Sequence, residues 1–278
     1  MSTSPQVKSL ADRAWQVITY GFILFLIGII VVPYIIVVFT SFKPSEAMFT
    51  SLALIPQNPT LEPWRRTLST LAGPLVNSLL VAGGTAILSL LIAIPGAYVF
   101  GRKEFPGKDI GFYLIIMVLL FPYLILVIPY SSWWLEFGLY NTIPGLWIAY
   151  QAFVTPFAIW ILRDFFENLP ANIEEAAQVY GLSQFSAFIR VILPLAAPAI
   201  VAVGFLSFLS GWNDFLFANL LTNNSGPQTA VVTLYSIVNA GEQIRWNLMM
   251  ASVVIVGTPP LILYLIARRY IGNAFSFS

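Results

Sequence analysis

Stretches without Asp, Glu, Lys or Arg alternate along the chain with short polar ones. Six apolar runs reach the length that a bilayer demands, one of them interrupted by a single acid, Asp214. They cover approximately Val17–Thr40, Pro74–Val99, Ile110–Tyr130, Thr142–Leu162, Ala196–Leu221 and Asn247–Ala267. A hydrocarbon core takes about 20 apolar residues per helix, so each run predicts one membrane-spanning helix. The first is too long for a signal peptide and no small-residue cleavage site follows it, so it is expected to be retained. Pro33, Gly83, Gly84, Pro95, Gly96, Pro122 and Pro156 fall inside the runs. Membrane helices tolerate such residues where neighbours satisfy the freed backbone groups, which predicts kinks and close helix contacts there.

The segment from about 163 to 195 breaks the pattern. Pro170 stops the preceding element, Asn172 is placed to cap a new helix, and Glu175 stands where a capping box puts its acid. Ile173, Ala176, Ala177 and Tyr180 share one helical face, with Glu174, Glu175 and Gln178 directed elsewhere. Gly181 supplies the left-handed backbone that ends this helix. Ser183 can open a second, whose stripe is Phe185, Phe188, Ile189 and Ile192 before Pro194. The expected result is a helix, a glycine corner and another helix. Small alanines let such a helix approach a shallow groove closely while Glu175 reaches a basic partner. A helix lying on lipid headgroups is the alternative, but it would carry Lys and Arg on its polar face, and few are present.

Composition agrees with a membrane chain: 58% of residues are hydrophobic and 9% charged, against roughly a quarter charged in ordinary soluble domains. The net charge of +1 offers no basic surface for nucleic acid. Cysteine and histidine are both absent, which removes disulfides, thiolate or imidazole metal ligands, Ser-His triads and imidazole proton shuttles. Lys8, Arg13, Arg102, Lys103, Lys108, Arg163, Arg190, Arg268 and Arg269 fall on one side of the predicted spans, and Lys43, Arg65, Arg66 and Arg245 on the other. The excess marks the first side, which holds both termini, as cytoplasmic. Ser41–Gly73 is then an external loop, and Thr222–Trp246 a second external segment long enough to fold back into the mouth of a cavity. With no internal repeat or low-complexity tract evident, residues 1–278 are expected to form one membrane domain. GRKEFPGKD has five residues between Gly101 and Gly107 and Asp109 after the lysine, so it departs from a phosphate loop and reads as a short positive turn.

Asp214 is the charged residue placed deep in a predicted span. At about 2.5–3.5 kcal/mol on insertion scales, it should face a cavity or a partner. Ser207, Ser210, Asp214 and Phe217 share one helical face, with Gly211 and Asn213 at its shoulder. Such a stripe would suit a sugar, whose hydroxyls need donors and acceptors and whose C–H faces pack on rings such as Trp212 or Phe215. The same groups would serve equally as polar glue between helices, and helical phase leaves both readings open.

Glu175-Ala176-Ala177, three residues, Gly181, nine residues and Val191-Ile192-Leu193-Pro194 resemble the EAA loop of binding-protein-dependent ABC importer permeases, in which Val191 is usually isoleucine. SFKP at 41–44, LIPQNPTLEPW at 54–64, RKEFPGK at 102–108 and WNDF at 212–215 narrow the resemblance to the MalG-like carbohydrate permeases, over nearly the whole chain. Tyr180 stands where many relatives carry an acid, and the tail GNAFSFS differs from their small-residue ending.

The resemblance implies an all-α integral membrane fold of the type I ABC importer permease class, with six transmembrane helices and a cytoplasmic coupling-helix loop. It assigns Glu174, Glu175, Ala176, Ala177, Gly181, Leu193 and Pro194 to coupling with the ATPase. It leaves Ser207, Ser210, Trp212, Asn213, Asp214 and Phe217 as the candidate solute pathway. The implied partners are a second, MalF-like permease, a dimeric MalK-like ATPase, an extracytoplasmic solute-binding protein and the lipid bilayer of the cell inner membrane. No cofactor is expected on this chain, ATP and Mg belonging to the ATPase. A permease for a polyol, glycerol phosphate or polyamine shares this architecture, though a polyamine would favour more acids than Asp214 alone. An ion-coupled secondary transporter would call for an inverted repeat and several intramembrane ion ligands, and an enzyme for a paired acid and base within the spans; none is evident.

Overall fold

The computed structural model describes residues 10–48, 53–170, 172–223, 226–239 and 245–274, and among these it contains helices, turns and loops but no strand. The chain divides into two compact units, residues 1–68 with 241–254 and residues 69–240 with 255–278.

The first unit holds helix α1, Leu10–Thr40, whose apolar side chains are largely exposed, as befits a helix solvated by lipid. After it the SFKP turn is tied down by aromatic and polar contacts. The Phe42 and Trp64 rings stack at 5.3 Å, and the Trp64 indole donates to Ser41 Oγ at 3.1 Å. The Asn247 amide donates to the Lys43 carbonyl and to Ser45 Oγ, at 3.2 and 3.1 Å. Two of the family-like motifs, SFKP and LEPW, are therefore one packed feature.

Helix α2 (Glu62–Arg102) begins in the first unit, well before the predicted span, and continues into the second without a break through Pro74 and Pro95. The third predicted span is not one helix. Residues Lys108–Leu120 (α3) and Tyr123–Glu136 (α4) meet at 95°, because Pro122 drives Phe121 into extended backbone at φ −74° and ψ 133°. Helix α5 (Ile143–Asn168) packs against α3 and α9 and buries Leu146, Ala149, Tyr150, Val154, Leu162 and Phe166. Its Trp147 indole occupies the space left by the absent side chain of Gly84 and donates to the Leu80 carbonyl at 2.9 Å, an example of the predicted close contacts.

The 163–195 segment gives α6 (Asn172–Val179), α7 (Gln184–Ala187), a π turn (Phe188–Ile192) and the short α8 (Leu193–Leu195). A bend of 73° separates residues Gln184–Leu195 from α9 (Ala197–Asn213). The fifth predicted span is also interrupted, since α10 (Leu216–Leu221) follows α9 only after Asp214 adopts extended backbone. Helices α11 (Ala230–Asn239) and α12 (Trp246–Ala274) complete the order. Four helices are long and apolar enough to cross a membrane alone, and the number reaches six when each bent pair counts as one span.

Candidate functional site

The glycine corner forms as the sequence requires. Gly181 has φ +87°, its N–H donates to the Gln178 carbonyl at 2.9 Å, and Leu182 N–H donates to the Ala177 carbonyl at 3.1 Å. This pair of bonds is a Schellman closure, which satisfies carbonyls that the end of α6 leaves open. Ser183 Oγ then accepts the Ser186 N–H at 3.2 Å and caps α7. Asn172, expected to cap α6, is its first helical residue.

The faces of α6 differ from the expected stripe. Glu174 and Ala177 are buried and Ile173 half-buried, whereas Glu175, Ala176, Val179 and Tyr180 are exposed, the last two at 85% and 89%. The expected grouping of Ile173, Ala176, Ala177 and Tyr180 on one face, with Glu174 elsewhere, is thus corrected by a rotation that takes an acid inward. The second stripe changes likewise. Ala187, Phe188 and Ile192 are buried while Phe185 and Ile189 are exposed, because the π turn widens the repeat from Ala187 to Ile192 to five residues. Leu193 packs at the margin of the core below, and Pro194 is exposed.

Glu174 tolerates burial because cations and a hydroxyl surround it. Its Oε1 accepts the Tyr98 hydroxyl and Lys103 Nζ, each at 2.7 Å, and its Oε2 lies 3.5 Å from Arg102 Nε. Arg102 also donates to the Leu169 carbonyl at 2.6 Å, just past the end of α5, and to the Pro170 carbonyl at 3.4 Å. Burial pushes the Glu174 carboxyl up, but the hydrogen bonds from Lys103 and Tyr98 and the charges of Lys103 and Arg102 outweigh it and hold the group below its ordinary value. Burial pulls Lys103 down, yet its bonds to Glu174 and Tyr98 leave it raised. Around the cluster, Tyr98, Phe166, Phe188 and Ile192 belong to one apolar core that joins α2, α5 and the π turn.

The pathway candidates separate into two groups. A cavity of about 330 Å³ is lined by Ser210, Asn213 and Asp214 together with Val118, Leu119, Phe121, Leu126, Ala152 and Phe153. Ser207, Trp212 and Phe217 do not line it. Ser207 is buried, its hydroxyl 3.5 Å from that of Ser89, Trp212 stacks on Phe208 at 5.6 Å, and Phe217 is enclosed by the Tyr130, Tyr150 and Phe153 rings. Ser207 and Phe217 thus contact neighbouring helices, while the Trp212 ring packs within α9. The single helical face expected for Ser207, Ser210, Asp214 and Phe217 fails because α9 ends at Asn213. Asp214 Oδ1 then accepts the Ala218 N–H at 3.1 Å and secures α10. Phe215, the other proposed sugar platform, packs on Tyr235 at 4.7 Å.

Sequence reasoning missed Tyr98, Arg102 and Lys103 as partners of α6, having read GRKEFPGKD as a plain positive turn. The one available signal was an excess of cations there and of acids at the start of α6. Among the described residues no cluster of three or more acids is placed to hold a metal ion.

Comparison with known proteins agrees with this architecture. The model of the family described as "Binding-protein-dependent transport system inner membrane component" matches residues 90–276. The diacetylchitobiose uptake system permease protein NgcG of Streptomyces coelicolor is 31% identical over 271 residues, which cover 96% of this chain and 89% of that protein. The trehalose transport system permease protein SugB of Mycobacterium tuberculosis is 31% identical over 254 residues, 90% of this chain and 92% of that protein. Among solved structures, a bacterial ABC transporter involved in the import of the acidic polysaccharide alginate superposes with a TM-score of 0.79 at 21% identity, covering 96% of this chain and 99% of that one. The chain is therefore a non-enzymatic membrane subunit and belongs to the family of inner membrane components of binding-protein-dependent transport systems.

Proposed function

We propose that this chain is one of two permease subunits of an ATP-driven importer for a sugar or oligosaccharide, a type I permease with six spans and both termini in the cytoplasm. In this reading α3 with α4 is one span, and α9 with α10 is another, Gln184–Leu195 leading into it from the cytoplasmic side. A second, MalF-like permease completes the pathway, an external binding protein delivers solute, and a dimeric MalK-like ATPase holds ATP and Mg. The similarity to permeases named for diacetylchitobiose and trehalose uptake supports a carbohydrate. The cavity of about 330 Å³, with Ser210, Asn213 and Asp214 set among apolar walls, has the character of a small polar-ligand site.

The observation that carries the coupling role is the outward face of α6. Glu175, Ala176, Val179 and Tyr180 stand exposed on a helix whose opposite face is fixed by Glu174 and Ala177. An acid beside small and apolar groups suits a groove with a basic rim on the ATPase. Closure of the ATPase on ATP then moves this face and shifts the permease pair between outward- and inward-open states. Gly181, Leu193 and Pro194 shape the segment that bears it.

The test is reconstitution of the complex in vesicles with Glu175→Lys or Gly181→Pro. Membrane insertion should persist while ATPase retention falls or hydrolysis proceeds without uptake. Full coupled transport by both variants would refute the docking.

A further inference from the structure

The cluster around Glu174 has no need of solute or nucleotide, yet it joins three elements at one point. Arg102 sits in the last turn of α2. Its guanidinium reaches the Leu169 and Pro170 carbonyls after α5 and the Glu174 carboxylate in the first turn of α6. Lys103 and Tyr98, the latter one turn earlier on α2, hold the other carboxylate oxygen. Lys103 Nζ also lies 5.0 Å from the centre of the Tyr98 ring, so the cation is held from two directions. A fully screened surface pair would permit rocking. Glu174 is only 6% exposed, and leaving its carboxylate unpaired in that setting is costly, so the separation of α6 from α2 and α5 is held in place. The apolar side of the joint is equally closed: the Tyr98 and Phe188 rings lie 4.4 Å apart, and Ile192 is fully buried.

We propose that Glu174 is a positioning residue for coupling. The Glu174–Arg102–Lys103 cluster makes α6 one rigid body with α2 and α5, so that displacement of α6 is delivered to those helices instead of being absorbed in the loop. This rests on the docking reading above. It divides the two adjacent acids between tasks, Glu175 facing the motor and Glu174 facing inward to hold the helix that carries it. Arg102 and Lys103, in a turn that otherwise resembles a simple cytoplasmic connection, become part of the force path.

The chain contains no cysteine, so two introduced thiols are its only labelling sites. Nitroxides at Ile87→Cys on the exposed side of α2 and Asn172→Cys at the start of α6 report their separation by electron–electron double resonance. The sample is the assembled complex with cysteine-free partner subunits, nucleotide-free and then trapped with ATP and vanadate. The expected result is one distance distribution, unchanged by ATP, in the otherwise native background. With Glu174→Gln the ATP-trapped distribution shifts by several ångström and broadens while ATP hydrolysis continues, and Glu174→Asp restores the native behaviour. Arg102→Lys, which keeps the charge but gives up the guanidinium fork, should loosen the joint as well and decides the matter if the glutamine variant misfolds. A distribution that moves with ATP in the native background, or one untouched by both Glu174→Gln and Arg102→Lys, would overturn the proposal. Unimpaired ATPase retention by Glu175→Lys in the same preparations would instead remove the docking on which it rests.

Discussion

Replacing Gly101 by alanine probes the packing that brings Arg102 to its partners. Helix α2 presses Gly101 against the last turns of α5. A Cβ there would stand 2.9 Å from the Arg163 carbonyl oxygen, 3.1 Å from Phe166 Cβ and 3.3 Å from the Glu167 nitrogen. Two of these atoms are backbone and the third is the root of a fully buried side chain, so none can swing aside. The helices must instead separate by a few tenths of an ångström. Overpacking of this kind costs about 1–3 kcal/mol, against a gain of about 1 kcal/mol from the better helix propensity of alanine. Gly83, on the same helix, has nothing within 4 Å of its own would-be Cβ and isolates the propensity contribution. Gly101→Ala should therefore be less stable than Gly83→Ala by about 1–3 kcal/mol in reversible unfolding from mixed micelles. Because Arg102 is the next residue, its bonds to Leu169 and Pro170 should lengthen too, and amide exchange over 169–177 should quicken in the Gly101 variant alone. Equal stability of the two variants would refute the claimed contact between α2 and α5.

The remaining predictions concern the segment from 163 to 195. Gly181→Ala forces a Cβ into backbone at φ +87° and should cost about 1 kcal/mol, seen as faster amide exchange over 176–188 while the long helices stay protected. The Glu174 carboxyl is held below its ordinary value of 4.5, so its contribution to stability is present above that value and is lost as pH falls through the lowered one. An acid titration of amide exchange over 172–188 should show this loss, and Glu174→Gln should abolish it.

Local chemistry in the segment from 163 to 195 was legible in the sequence because its causes are local. Gly181 adopts left-handed backbone and Ser183 caps the next helix, as their residue types require. The direction in which α6 faces was not. Periodicity sends an acid outward by default, and Glu174 turns inward only because Tyr98, Arg102 and Lys103 arrive from a distant helix to receive it. The second stripe was misread for a related reason. A π turn changes the repeat, and nothing in the residues Phe188–Ile192 distinguishes it from an α turn. Long apolar runs located the helices well at 17–40, 142–162 and 247–267 but concealed two breaks. Pro122 and Asp214 were visible as residues, whereas their effect depends on what lies beside the freed backbone.

Those two breaks converge on the same place, and the convergence accounts for the polar groups that line the cavity there. Phe121 at the first break and Asn213 and Asp214 at the second all line the cavity of about 330 Å³. Within a membrane component, non-helical backbone survives where protein covers it or where it borders a cavity, since lipid offers it no hydrogen bonds. At the second break the Asp214 carboxylate supplies one such bond to Ala218 N–H, so the acid is required there by the backbone before any solute is considered. The same side chain faces the cavity, and Ser210, one turn earlier, spends its hydroxyl proton on the Leu206 carbonyl at 3.0 Å while its oxygen keeps a lone pair free of that bond. A helix interrupted for structural reasons thereby exposes acceptors and an amide donor on Asn213 at one point in an otherwise apolar wall. That is the combination a hydroxyl-rich solute would meet, and it explains why Asp214 matters to this fold even though the continuous polar stripe that first drew attention to it does not exist.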